Sequence, residues 1–334
     1  MSKLKSISQS IALVAASLAV MALLFEGACR LIVDTGLHYH LEMWKYAVQL
    51  KEVAEDPAIG HRHKAGGQAK LMGVEVTINE DGHRDSSASQ MNTTATNVLM
   101  LGDSITFGWG VPQDETVSAR LEPLLTQRLG EPINVLNTGV GNYNTAMEVA
   151  WFERYGLALK PDLVVLNVFI NDAEPTPRVA HVPWWDRHLY SRVILFGALD
   201  TARRTLFGGQ DWETYYAELY NEDAAGWQTM QTSVSRLAAL CREAGIPIII
   251  VDYPELRQLS PYPFSEISQR FSALADLYNL EYLDLLPSVE GQDPASLWVT
   301  APDPHPNSYA NKLFADYLVD PITKNLQSVL GRSN

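Results

Sequence analysis

Apolar and polar positions change rhythm twice along this chain. From Ser6 to Phe25 there is no charged residue, and the heart of that run, IALVAASLAVMALLF from Ile11, is long and apolar enough to cross a bilayer. Met72 to Glu80, MGVEVTINE, alternates apolar and polar residues as a half-exposed strand does, Asp81-Gly82 then supplies a turn, and the segment reads as a lead-in strand or hairpin. From Asn97 the pattern becomes strand and helix in turn. Apolar runs over residues 98–101, 133–136, 162–169, 246–252 and 282–285 predict strands. Helical spacing over 116–129, 145–159, 228–244, 264–278 and 307–330 predicts helices, the last interrupted at Pro321. This alternation predicts an α/β fold: a three-layer, doubly wound sandwich around a mostly parallel five-stranded sheet, plus an N-terminal transmembrane helix.

Lys3 and Lys5 precede the apolar run, and Glu26 and Arg30 flank the only candidate cleavage sites, so the segment reads as an uncleaved anchor with its leading end in the cytoplasm. The rest of the chain then faces outward, which in a bacterium means an inner-membrane protein with its domain in the periplasm. Cys29 is a poor lipidation site, because Glu26 stands where an aliphatic residue belongs. The organisation expected is an anchor over residues 1–34, a juxtamembrane helix and lead-in strands over 35–96, and a catalytic domain over 97–330. His38 to Leu50 reads as an amphipathic helix, with Trp44 and Tyr46 suited to a membrane interface or to packing on the domain. A long insertion over 173–227 carries Trp184, Trp185, Tyr190, Trp212, Tyr215, Tyr216 and Tyr220. It forms either a cap over the active site or a piece packed on the domain by those aromatics.

Composition narrows the partners. The 334 residues are 46% hydrophobic and 19% charged, which is globular, and the net charge of −14 with pI near 5.0 argues against nucleic acid or an anionic lipid surface. A neutral or hydrophobic substrate fits better. Cys29 and Cys241 are the only cysteines and suggest neither a disulfide framework nor a zinc site. His61-Arg62-His63 has no third ligand nearby and reads as solvated loop residues rather than a metal pair. With no Walker loop and no dinucleotide glycine fingerprint, no cofactor and no metal are expected.

The chemistry centres on Asn97 to Gly108, NVLMLGDSITFG, where a buried strand ends in a small-residue turn. That places Ser104 at the carboxyl edge of a sheet, where open α/β folds bind ligands. Acyl transfer through serine also needs a base, a group that orients the base, and donors for the oxyanion. His305, in a loop after the last strand and stiffened by Pro304 and Pro306, is the candidate base, and Asp303 the candidate orienting acid. Asp103 reads as structural, bonding the backbone of its own turn.

Four segments in order, Gly102-Asp103-Ser104, Asn137-Thr138-Gly139-Val140-Gly141-Asn142, Asn171-Asp172 and Asp303-Pro304-His305-Pro306-Asn307, resemble the sequence blocks of the SGNH (GDSL-type) hydrolases. The similarity runs from about Asn97 to Leu318. It implies a flavodoxin-like fold and substrates among acetylated sugars, lipids and other small esters. It also implies an oxyanion hole made of the Ser104 N–H, a backbone N–H of the second block and the Asn171 side-chain amide. Three positions depart from the pattern. The aspartate stands two residues before His305, with Pro302 in the usual third place, which leaves Asp284 or water as substitutes. Phe169 stands where glycine is usual and narrows the pocket. Asn142 also replaces a glycine, with Gly141 one place earlier, so either of these two donates. Three functions remain open on the sequence: a serine esterase, an O-acyltransferase acting on an envelope polysaccharide through the same Ser104 and His305, and a non-catalytic anchored subunit.

Overall fold

The computed structural model of the protein describes residues 2–85, 92, 94–177, 183, 185, 187–207, 211–301 and 303–331. The chain divides into two compact units, Met1–Val48 with Ala180–Gly209, and Gln49–Val179 with Gln210–Asn334.

The larger unit carries the sheet. Strands β1 (Lys51–Val53) and β2 (His61–His63) form an antiparallel hairpin, as do β3 (Gln68–Leu71) and β4 (Val74–Thr77). Then come β5 (Thr96–Leu101), β6 (Ile133–Asn137), β7 (Leu163–Val168), β8 (Ile248–Asp252) and β9 (Glu281–Asp284), all parallel, in the spatial order β6-β5-β7-β8-β9. The order reverses direction beside β5, and such a switch point opens a crevice at the carboxyl ends of the strands. The predicted three-layer, doubly wound architecture is the one observed.

Period-two alternation divides the sheet's side chains between two cores. Leu99, Leu101, Val164, Leu166 and Ile250 face one, covered by α5 (Thr145–Tyr155), α8 (Ala225–Ala244) and α9 (Ser265–Leu277). Val98, Met100, Val165, Ile249 and Val251 face the other, covered by α4 (Val117–Leu129) and α10 (Ser308–Leu330). Helix ends follow local chemistry: the Thr116 and Asn144 side chains cap α4 and α5, and Gly130 and Gly245 end α4 and α8 with positive φ.

Three expectations are corrected and one is narrowed. The segment 72–80, expected as a lead-in strand or hairpin, supplies one arm of a hairpin: β4 pairs with β3, and Met72 and Gly73, with φ of 51° and 80°, form the two-residue turn between them. α10 runs unbroken through Pro321, because its inner face, Phe314, Leu318, Ile322 and Leu326, is buried in the core and outweighs the lost backbone bond. Tyr46 in α2 (Tyr39–Leu50) is fully buried, so it is no interfacial anchor, and Trp44 is half-buried edge-on against Tyr190. His61 and His63 form a strand and are buried. The His61 ring meets the Gly141 carbonyl and that of His63 the Gly82 carbonyl, so neither is a solvated loop residue.

The smaller unit holds α1 (Ser2–Ala28), a π-helical extension over Cys29–Val33, most of α2, and α6 (Tyr190–Phe207). The stretch Ile7–Val33 has a mean hydropathy of 2.2 over its most apolar 18-residue window, and that window is wholly exposed, as a membrane span requires. The predicted insertion is therefore shared: α6 groups with the N-terminal helices, and α7 (Trp212–Leu219) with the sheet unit, where Trp212 and Tyr216 pack against Phe264. Trp184 lies outside the described residues.

Candidate active site

β5 ends at Leu101, and Ser104 begins the single turn α3 (Ser104–Phe107) at the sheet's carboxyl edge. The Asp103 carboxylate caps this turn, accepting the Ile105 N–H at 2.8 Å, as expected for a structural aspartate. It also accepts the Asn171 side-chain amide at 3.0 Å, from the loop after β7. Asp103 thus joins the first and third blocks, while burial pushes its carboxyl pKa upward. Behind α3 the fully buried Arg84 donates to the carbonyls of Phe107, Gly108 and Val111, holding the exit from the nucleophile turn.

The second block is tied to the first by close approach. The Asn137 side chain donates to the Thr106 carbonyl at 2.8 Å and accepts the Gly139 N–H at 3.1 Å. A Cβ on Gly139 would stand 2.4 Å from the Phe107 nitrogen, so only glycine allows this contact. Asn142 adopts φ 65°, the left-handed turn expected of it. The Gly141 carbonyl is held by the Lys51 ammonium and the His61 ring, and Lys51 also donates to Asn142 Oδ1 at 3.0 Å. In a trans peptide the carbonyl and the following N–H point in opposite directions, so the Asn142 N–H is turned away from Lys51. It has no hydrogen-bond partner among the described residues. Burial pushes the Lys51 ammonium down to about 7, and burial together with the nearby Lys51 charge pushes His61 down to about 4, so His61 is neutral at pH 7.

The fourth block lies on a strand, not in the predicted loop. β11 (Asp303–Pro306) pairs with β10 (Trp298–Thr300) as a small antiparallel hairpin. Residues two apart share one face of a strand, so the shortened Asp-x-His spacing still brings the two side chains together. Asp303 Oδ1 meets His305 Nδ1 at 2.5 Å and the His305 N–H at 3.1 Å. His305 Nε2 in turn lies 2.9 Å from Ser104 Oγ. The Trp109 indole donates to Asp303 Oδ2 at 2.9 Å. Burial raises the Asp303 pKa, but the hydrogen bonds and charge of His305 and the bond from Trp109 together outweigh it, so the carboxyl stays below its ordinary value. Asp284, the substitute acid, accepts the Leu286 N–H instead. Asn307 ends the block by capping α10, accepting the N–H groups of Tyr309 and Ala310.

Ser104, His305 and Asp303 thus meet, with Asn171 beside them through Asp103, and Gly141 and Asn142 on the loop packed against α3. Phe169 is partly buried between the two cores. Trp109, Arg84 and Lys51 carry no role on the sequence alone, and His61, there weighed only as a metal ligand or a solvated loop residue, carries a different one here. Trp109 has a local signal, an indole directly after the nucleophile turn, whereas the other three act across gaps of about 25 to 90 residues that no local pattern marks. Among the described residues no group of histidine, cysteine, aspartate and glutamate is arranged to hold a metal.

Solved structures similar to this chain include a lipolytic protein of the G-D-S-L family from Desulfitobacterium hafniense, with 19% identity over 67% of this chain and 98% of that one and a TM-score of 0.42. TesA shows 17% identity over 70% and 99%, with a TM-score of 0.45. The acetylxylan esterase Axe2 of Geobacillus stearothermophilus shows 15% over 69% and 95%, with a TM-score of 0.45. No curated protein matches. The model of the GDSL-like lipase/acylhydrolase family matches residues 100–313, from the last residues of the nucleophile strand through the histidine block, and the chain accordingly belongs to that family and is a GDSL-type ester hydrolase.

Proposed function

We propose that this protein is a membrane-anchored serine esterase that cleaves an acyl or acetyl ester of a cell-envelope glycan or lipid on the outer side of the plasma membrane. In this reading Ser104 Oγ attacks the ester carbonyl while His305 Nε2 takes its proton. Asp303, ionised and bonded to Nδ1–H, holds the productive tautomer and stabilises the imidazolium as it forms. The negative charge on the carbonyl oxygen is met by the Ser104 N–H, the Asn142 N–H and the Asn171 amide. Asn171 spends one hydrogen of its Nδ2 on Asp103 and directs the second to the oxyanion. Asn142 is preferred to Gly141 as the second-block donor, because the carbonyl of the shared peptide is pinned by Lys51 and His61. His305 then returns the proton to the departing alcohol, and a water activated by the same nitrogen hydrolyses the acyl-enzyme.

The observation that carries this reading is the continuous relay Ser104 Oγ, His305 Nε2, His305 Nδ1, Asp303 Oδ1, with steps of 2.9 and 2.5 Å between residues. The exposed apolar window within Ile7–Val33 supports the anchor. The test uses the full chain in detergent micelles with p-nitrophenyl acetate. Nitrophenol release that Ser104→Ala reduces to the blank rate is the expected result, and undiminished turnover by that variant defeats the assignment.

A further inference from the structure

Helix α6 has two faces of opposite environment. Val193, Ile194, Gly197 and Asp200, spaced i, i+1, i+4 and i+7, are half-buried. That inner face is docked within its own unit. A Cβ on Gly197 would come within 3.0 Å of the His40 ring, Tyr190 meets Trp44 edge-on at 5.1 Å, and the Glu26 carboxylate accepts the Tyr190 and Ser191 N–H groups at the start of α6. The outer face, at i, i+3, i+4, i+7 and i+11, reads Arg192, Leu195, Phe196, Leu199 and Arg203. Its three apolar residues are 57%, 60% and 65% exposed. A helix on a water-facing surface places charges there instead.

The same unit states what covers this face. Leu31 and Ile32, at the end of the apolar span, are 87% and 71% exposed, so the bare surface of the anchor runs on into the segment against which α6 is docked. A partner already continuous with α1 is therefore the natural partner of α6. The two arginines bracket the apolar stripe as they do on helices lying in a membrane surface, and the Arg192 guanidinium sits 5.1 Å from the centre of the Phe196 ring, where an interfacial cation belongs. The chain's net charge of −14 does not extend to this face, whose two charged residues are both cationic.

We propose that α6 lies in the lipid surface as a second membrane attachment, with Leu195, Phe196 and Leu199 at the boundary of headgroups and acyl chains and Arg192 and Arg203 among the phosphates. This inference rests on the reading of α1 as an uncleaved anchor. Such a helix adds buried apolar area to the anchor and restricts how the following residues leave the bilayer.

The test is fluorescence of the full chain reconstituted in vesicles of phosphatidylcholine and phosphatidylglycerol that carry nitroxide-labelled acyl chains. An environment-sensitive dye is attached to single cysteines at Leu18→Cys, Phe196→Cys and, on the exposed face of α9, Glu266→Cys, with Cys29 and Cys241 replaced by serine. Leu199→Cys gives a second reading of the same α6 face should Phe196→Cys fail to fold. The expected result is a blue shift and loss of most emission at position 18 with deep nitroxides and at 196 or 199 with shallow ones, and no loss at 266. Quenching at 18 with none at 196 and 199 overturns the inference, since lipid is then not what covers the helix. No quenching at 18 overturns the anchor itself, and the inference with it.

Discussion

Asp303→Asn is the sharpest perturbation of this site, because the carboxylate serves donors on both of its oxygens and an amide has only one acceptor. Oδ1 takes the ring and backbone N–H groups of His305, and Oδ2 takes the Trp109 indole. With the amide oxygen on the His305 side, two of the three bonds survive and the Trp109 N–H loses its acceptor, which costs about 1–3 kcal/mol in a buried position. With the oxygen on the Trp109 side, two donors are lost and the amide N–H forces the imidazole proton onto Nε2, where it blocks the base. The first arrangement is therefore favoured, and His305 keeps its productive tautomer. What is lost is the negative charge opposite the forming imidazolium. A charge-assisted hydrogen bond exceeds a neutral one by about 1–1.5 kcal/mol, so kcat/KM falls roughly 5- to 13-fold, not the roughly 10⁴-fold of a serine protease triad with the wrong tautomer. Stability is read by urea unfolding in a double-mutant cycle. Trp109→Phe is expected to cost about 1–3 kcal/mol less in the Asp303→Asn background than in the wild type, because the indole N–H has already lost its acceptor there. Equal costs in both backgrounds, or a 10⁴-fold loss of activity, refute the two-sided account of Asp303.

Other outcomes follow from the same geometry. Lys51→Met removes the ammonium that pins the Gly141 peptide, so kcat for p-nitrophenyl acetate falls about tenfold with KM nearly unchanged, whereas loss of one oxyanion donor outright costs about 10²–10³. A loss confined to KM contradicts the role given to that peptide. Asp252, buried at the end of β8 and bonded to the Tyr282 hydroxyl at 2.8 Å, has its pKa pushed from 3.8 to about 7 by burial. Between these values the folded state holds a proton that the unfolded state has lost, so stability falls as pH rises from about 4 to 7, by at most about 4 kcal/mol at 1.4 kcal/mol per unit. Asp252→Asn stays neutral throughout, and a melting curve measured against pH is expected to flatten in that window and to exceed the wild type above pH 7; an unchanged slope defeats the assignment.

Much of this protein is written in local pattern. Period-two and period-3.6 hydrophobicity separates the five core strands from the helices over them, because alternate strand side chains must enter two different cores, as Leu99 and Met100 do. The uncharged N-terminal run and the four ordered blocks likewise need only the sequence. Other features were settled by distant contacts. Whether Asp303 reaches His305 depends on backbone conformation: an extended β11 makes a two-residue spacing sufficient, and that strand exists only through its pairing with β10. Pro321 reads as a break until the buried face of α10 is seen to hold the helix together. Lys51 stands without a role in the lead-in segment, and His61 reads as a solvated loop residue, until their hairpin meets Gly141. Periodicity reports how each residue stands to the nearest apolar phase, and that is a local property. Which polar atoms satisfy one another across about 80 or 200 residues is decided by the close approach of packed elements, and only the folded chain supplies it.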